Sequence, residues 1–126
     1  MTETMISATD RYFTAIKDIN LDAYIACFSE DAEVHDPYGS RPFLGRNGQE
    51  KWFLGLERTW QRFDIEPLIS FSSGDRVAIQ WKAKAIAKSG KPATFEGINV
   101  FTINEDGLIV RQESYWDMSD MIAQIS

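Results

Sequence analysis

Three residues far apart in the chain, Asp36, Tyr12 and Asn99, are of the types that together could move a proton beside a carbonyl group. Asp36 ends a strand-like run in Val34-His35-Asp36-Pro37-Tyr38-Gly39, where a Pro/Gly turn lets a carboxylate leave the strand and project into a cavity. Tyr12 and Asn99 bring a phenol and an amide, two donors able to hold an enolate oxygen. A base facing such donors suits proton abstraction next to a carbonyl. Each residue also has a plainer role: Asp36 as a turn former, Tyr12 as a core aromatic, Asn99 as an amide satisfied within the core. Only their conjunction makes a site.

The elements that must position them follow from hydrophobic period. Met5, Ala8, Tyr12, Ala15, Ile16 and Ile19 recur at three- and four-residue spacing, which predicts a helix over about residues 4–18 with Tyr12 on its buried face. Asn20 is placed to cap a second helix carrying Leu21, Tyr24, Ile25 and Phe28, and Ser29-Glu30-Asp31 reads as its end. In a short strand over 32–36, alternation puts Asp36 on the same face as Ala32 and Val34. After a loop over 37–44, a third helix is expected from Arg46 to Trp60, burying Trp52, Phe53, Leu56 and Trp60, with Gly48 weakening it slightly.

The period then changes to two, in runs near 63–72, 76–86, 93–103 and 108–116 separated by polar, glycine-containing turns. Phe95, Gly97, Asn99, Phe101 and Ile103 share a face, as do Leu108, Val110, Gln112, Ser114 and Trp116. Asn99 is the strongly polar member of its apolar row. Residues 118–125 read as a short tail helix or as coil. The expected architecture is a single α+β domain over residues 1–126, a cone-shaped, strongly curved antiparallel sheet with N-terminal helices covering one face.

Composition narrows the functions. A chain of 126 residues can bury a core without metals or disulfides. Cys27 is the sole cysteine and reads as a core residue, and with no basic leader and no run approaching ~18 apolar residues the expected location is cytoplasmic, with no membrane partner. A net charge of −6 with scattered Lys and Arg argues against nucleic acid. One histidine, His35, read as a surface residue, leaves no Ser-His-Asp arrangement and too few ligands for zinc. Glu30, Asp31 and Glu33 read as solvated charges. Gly45-Arg46-Asn47-Gly48 lacks the lysine and spacing of a phosphate loop, so no cofactor is expected.

The order of elements, with Arg11-Tyr12, the segment Phe28 to Gly39, Gly45-Arg46, Ile98-Asn99-Val100-Phe101 and Tyr115-Trp116, resembles the nuclear-transport-factor-2-like superfamily. Within it the chain is most similar to bacterial ketosteroid isomerases, and it also resembles SnoaL-like proteins. The resemblance implies the cystatin-like roll, Asp36 as general base, Tyr12 as principal oxyanion donor and Trp116 as an aromatic near the base. Asn99 stands where the isomerases keep a protonated aspartic acid; an amide donates at every pH. Phe28 and Phe53 stand where some isomerases carry tyrosines. With Trp81 and Phe101 they form the expected apolar walls of a substrate pocket.

The implied activity is that of a cofactor-free, double-bond-transposing isomerase acting on a ketosteroid-like enone through a dienolate. Two alternatives stand beside it: a polyketide cyclase or dehydratase using the same base, and a non-catalytic, dimeric small-molecule-binding module. The expected partners are a small hydrophobic molecule, steroid or polyketide, and a second copy of the chain in a C2 homodimer through the outer sheet face, where Ile98 and Val100 point.

Overall fold

A computed structural model describes residues 1–126. The side chain of Thr2 accepts the Met5 amide and opens α1 (Glu3–Lys17), and the expected apolar stripe buries Met5, Ala8, Tyr12, Ala15 and Ile16. Asn20 caps α2 (Leu21–Ile25) by accepting the Ala23 amide at 3.1 Å.

The chain then departs from expectation. The helix stops at Ile25, and Ser29-Glu30-Asp31 lies within β1 (Phe28–His35). Glu30 and Asp31 are exposed where the register of β1 with its neighbour breaks between Phe28 and Glu33, so polarity there marks a bulged stretch of strand and not a helix end. The segment expected as loop contains a two-residue strand, β2 (Phe43–Leu44), paired antiparallel with β1.

Helix α3 (Gly45–Thr59) follows at once, and Trp60 opens the next strand instead of closing the helix. A side chain at Gly48 would place its Cβ 2.6 Å from the Phe43 carbonyl carbon, so this glycine allows α3 to lie on the backbone of β2. The buried Gln49 donates to the Ser29 carbonyl at 3.0 Å, and Arg46 donates to the Ile25 carbonyl at 2.9 Å, which ties α3 to β1 and to the end of α2.

Four strands complete the sheet: β3 (Trp60–Ser73), β4 (Arg76–Ala87), β5 (Pro92–Ile103) and β6 (Ile109–Trp116), each antiparallel to the next as the period of two predicted. The order across the sheet is β2-β1-β6-β5-β4-β3. One pair, β1 with β6, is parallel, because the whole meander lies between them and brings the chain back beside its first strand. The inner face of this curved α+β sheet packs against the helices in one continuous core running from Met5 to Met121. The tail forms α4 (Met118–Ile125), capped by Asp117, which accepts the Asp120 amide at 3.0 Å.

Candidate active site

Asp36 follows the last residue of β1 and keeps the inward side shared by the buried Ala32 and Val34. The turn after it is fixed to β6 by the Tyr38 amide, which donates to the Ser114 carbonyl at 2.7 Å. Both carboxylate oxygens are held by indoles: Trp116 donates to Oδ1 at 2.6 Å and Trp52 donates to Oδ2 at 2.9 Å. Burial pushes the Asp36 carboxyl up to about 6, against the opposing effect of the Trp116 and Trp52 donors. The group is therefore a base of useful strength near neutral pH.

Tyr12 sits on the buried face of α1, its oxygen accepting from Gln112 Nε2 at 3.0 Å and from Asn99 Nδ2 at 3.4 Å. Trp81 donates to Asn99 Oδ1 at 2.9 Å. An indole N–H can only donate, so this bond fixes which end of the Asn99 amide faces Tyr12. Burial holds the Tyr12 phenol well above its ordinary range, followed by the Asp36 charge; the Gln112 and Asn99 amides oppose. Tyr12 is thus a neutral donor at ordinary pH.

Gly97 makes this arrangement possible. It pairs with Trp81 on one side and Trp116 on the other, and a Cβ there would lie 2.5 Å from the Tyr115 carbonyl oxygen, 2.7 Å from the Trp81 ring and 2.8 Å from Trp116 Cβ. The Trp81 ring, the Trp116 Cβ and the Tyr115 carbonyl occupy the space a side chain would take.

Asp36, Tyr12 and Asn99 line one cavity of about 250 Å³ with Trp81, Trp116 and Trp52. Its walls are mostly apolar, and Met118 and Met121 of α4 close part of it. Three residues expected on its walls are elsewhere. Phe28, Phe53 and Phe101 are buried outside the lining. Phe101 packs edge-on against Tyr12 at 4.8 Å between ring centres, and Phe28 and Phe53 pack on Tyr24 at 4.8 and 5.5 Å, so these rings support the site from behind. His35 also departs from a simple surface role: it is half-buried, its ring lies 5.7 Å from that of Tyr38, and its Nε2 is buried without a partner.

Two site residues were hidden from sequence reasoning. Trp52 reads as part of the core stripe of α3, yet it lines the cavity and donates to the Asp36 carboxylate, its ring stacked on Tyr24 at 4.9 Å. Gln112 reads as one member of an inward row, and the signal it shares with Asn99 is a polar side chain on an otherwise apolar face.

Residues 9–112 match the SnoaL-like domain family. The chain belongs to the SnoaL-like family. Solved structures with the same fold include the epoxide hydrolase/cyclase-like enzyme SalBIII of pyran ring formation in the polyether salinomycin, 24% identical with a TM-score of 0.81 and 92% of each chain covered. A candidate polyketide cyclase from Xanthomonas campestris pv. campestris is 18% identical, with a TM-score of 0.86 and 98% of each chain covered. A nuclear-transport-factor-2-like protein from Burkholderia pseudomallei is 19% identical, with a TM-score of 0.81 and 99% of each chain covered. These likenesses establish the nuclear-transport-factor-2-like fold of this SnoaL-like chain.

Proposed function

We propose that this SnoaL-like protein catalyses cofactor-free proton transfer on a small apolar carbonyl compound of polyketide type. Asp36 takes a proton from a carbon next to the carbonyl, and Tyr12 and Asn99 hold the enolate oxygen that results. The observation that carries this reading is a carboxylate tuned to about 6 in the same apolar cavity as two neutral donors. A domain serving only as a scaffold gains nothing from such a group, since a buried charge costs stability.

The fate of the enolate separates two outcomes. Attack on an internal electrophile closes a ring; return of the proton to a different carbon moves a double bond, as in the ketosteroid isomerases the chain resembles. Ring closure is favoured by the family and by the cyclase-type proteins that share its fold. The working form is a C2 homodimer through the outer sheet face, where Ile98 and Tyr115 are exposed side by side in register.

The chemistry can be tested without the natural substrate. In D2O the protein should accelerate exchange of the α-protons of 2-tetralone, a small bicyclic ketone, and Asp36→Asn should abolish the acceleration while the fold persists. Equal exchange with both proteins would defeat the assignment. A wild type that leaves the background rate unchanged would favour a binding module.

A further inference from the structure

We propose that Gln112 is a positioning residue: with Asn99 it occupies the acceptor side of the Tyr12 oxygen and turns the phenolic hydrogen into the cavity, so this end of the site selects a neutral acceptor oxygen such as a ketone or an epoxide. The inference rests on the reading that Tyr12 and Asn99 meet the substrate oxygen, and it adds the group that makes Tyr12 a donor.

Gln112 is fully buried on β6, and its Nε2 lies 3.0 Å from the Tyr12 oxygen and 2.9 Å from Ser114 Oγ. Both of its N–H groups are therefore spent. Asn99 Nδ2 approaches the same phenol oxygen, and its orientation is dictated by the Trp81 indole. A phenol oxygen that accepts two amide donors has its own hydrogen left to place, and the protein offers that hydrogen no acceptor.

The opposite orientation of the Gln112 amide would turn its oxygen to Tyr12 and Ser114, and Gln112 would then take up the Tyr12 hydrogen in place of a ligand. The observed orientation strands one acceptor, Gln112 Oε1. The two orientations differ in whether the Tyr12 hydrogen is free for a ligand, and the ketone preference of the wild type separates them. Asn99 has a second N–H left over as well. This end of the cavity accordingly presents donors, while the base, Asp36, is the acceptor elsewhere on its wall.

The test compares two ligands of one skeleton, fluorenone with its carbonyl and fluorene without it, by their dissociation constants. Wild type should prefer the ketone roughly three- to tenfold, the range of one net hydrogen bond, and Tyr12→Phe should remove most of that preference. Gln112→Glu at pH 8 offers a carboxylate that captures the Tyr12 hydrogen, so the preference should fall towards one. At pH 5 the buried carboxyl is protonated, donates to Tyr12 as the amide did, and the preference should return. Each value is read against wild type at the same pH, because Asp36, Cys27 and Tyr24 also face Tyr12 electrostatically.

A purely structural role for Gln112 would weaken ketone and hydrocarbon alike. A Gln112→Glu protein that keeps the wild-type preference at pH 8, while Tyr12→Phe loses it, would overturn this inference and leave the proposed function standing. A wild type without ketone preference would overturn both. If the glutamate variant does not fold, Gln112→Met, close in shape and apolar, should lose part of the preference, and an unchanged ratio would again overturn the proposal.

Discussion

A carboxyl whose folded-state value lies near 6 leaves two separate marks on the pH behaviour of the molecule. For activity, Asp36 must be ionised to accept a proton, so kcat/KM should climb with pH through about 6 and then level off. For stability the sign is opposite. Between the ordinary carboxylate range and about 6 the folded state binds more protons than the unfolded chain, so stability falls as pH rises across that window. Urea titrations from pH 4 to 7 should show wild type losing stability relative to Asp36→Asn, by up to ~3 kcal/mol. Parallel curves would mean that the carboxyl is not desolvated. The indoles pull the other way, so Trp52→Phe, which removes one donor, should move the rising limb of the rate profile to higher pH. At this scale the sequence exposes Asp36 and Asn99 because each breaks the polarity of its own face, whereas Tyr12 reads as a core aromatic until the family resemblance sets it beside them. It hides Trp52, because an indole on an apolar stripe looks the same whether its N–H is buried against a carboxylate or turned to solvent.

Among the elements, β5 is the one on which the site depends most. Gly97 stands between Trp81 and Trp116 with backbone and ring atoms closer than any Cβ tolerates. Gly97→Ala should therefore destabilise the fold by about 1–3 kcal/mol and disturb both the Asn99 and the Asp36 anchors; calorimetry with ligand binding checks both effects at once. Helix α4 is held to the edge of β5 by Gln124, whose side chain accepts the Thr94 amide at 2.8 Å and donates to the Thr94 carbonyl at 2.9 Å. Gln124→Ala should loosen this cover and speed release of an apolar ligand, measured by stopped-flow fluorescence. The meander was legible because alternation and glycine turns agree over long runs. Strand β2, two residues long, carries no period to read, and the polar opening of β1 imitates a helix end. Strand β3 conceals a reversal: an unbroken alternation through Phe63 and Ile65 would carry Ile69 and Phe71 into the core. A bulge between Pro67 and Ile69 sends them to the outer face instead.

That reversal shapes the molecule as a whole. On the outer face Ile69, Gln80, Ile98 and Tyr115 lie in one cross-strand row, and Phe71, Ala78 and Val100 lie in the next. Phe71 is 75% exposed, Ile69 54% and Ile98 44%, large apolar side chains on one face, interrupted by Gln80, that water disfavours. A protein with a net charge of −6 repels its own copies unless such a surface outweighs the charge. Ile98→Glu should convert the proposed dimer to monomer in sedimentation equilibrium, with the cavity and its ligand affinity little changed, since residue 98 points away from the cavity. An unchanged mass would remove this face from consideration.

The two indoles on Asp36 come from distant parts of the chain, one from α3 and one from the end of β6 beside α4, so the carboxylate is a tie between two walls as well as the proposed base. The strength of that tie follows the charge. A carboxylate binds N–H groups more strongly than a neutral acid does, so each time Asp36 takes up a proton one strap between the walls slackens, and each time it gives the proton back the strap tightens. Under the proposed mechanism the cavity would be gripped hardest before the reaction starts and after it ends and loosest while the intermediate is held, so that turnover would carry its own small breathing motion, timed by the proton itself.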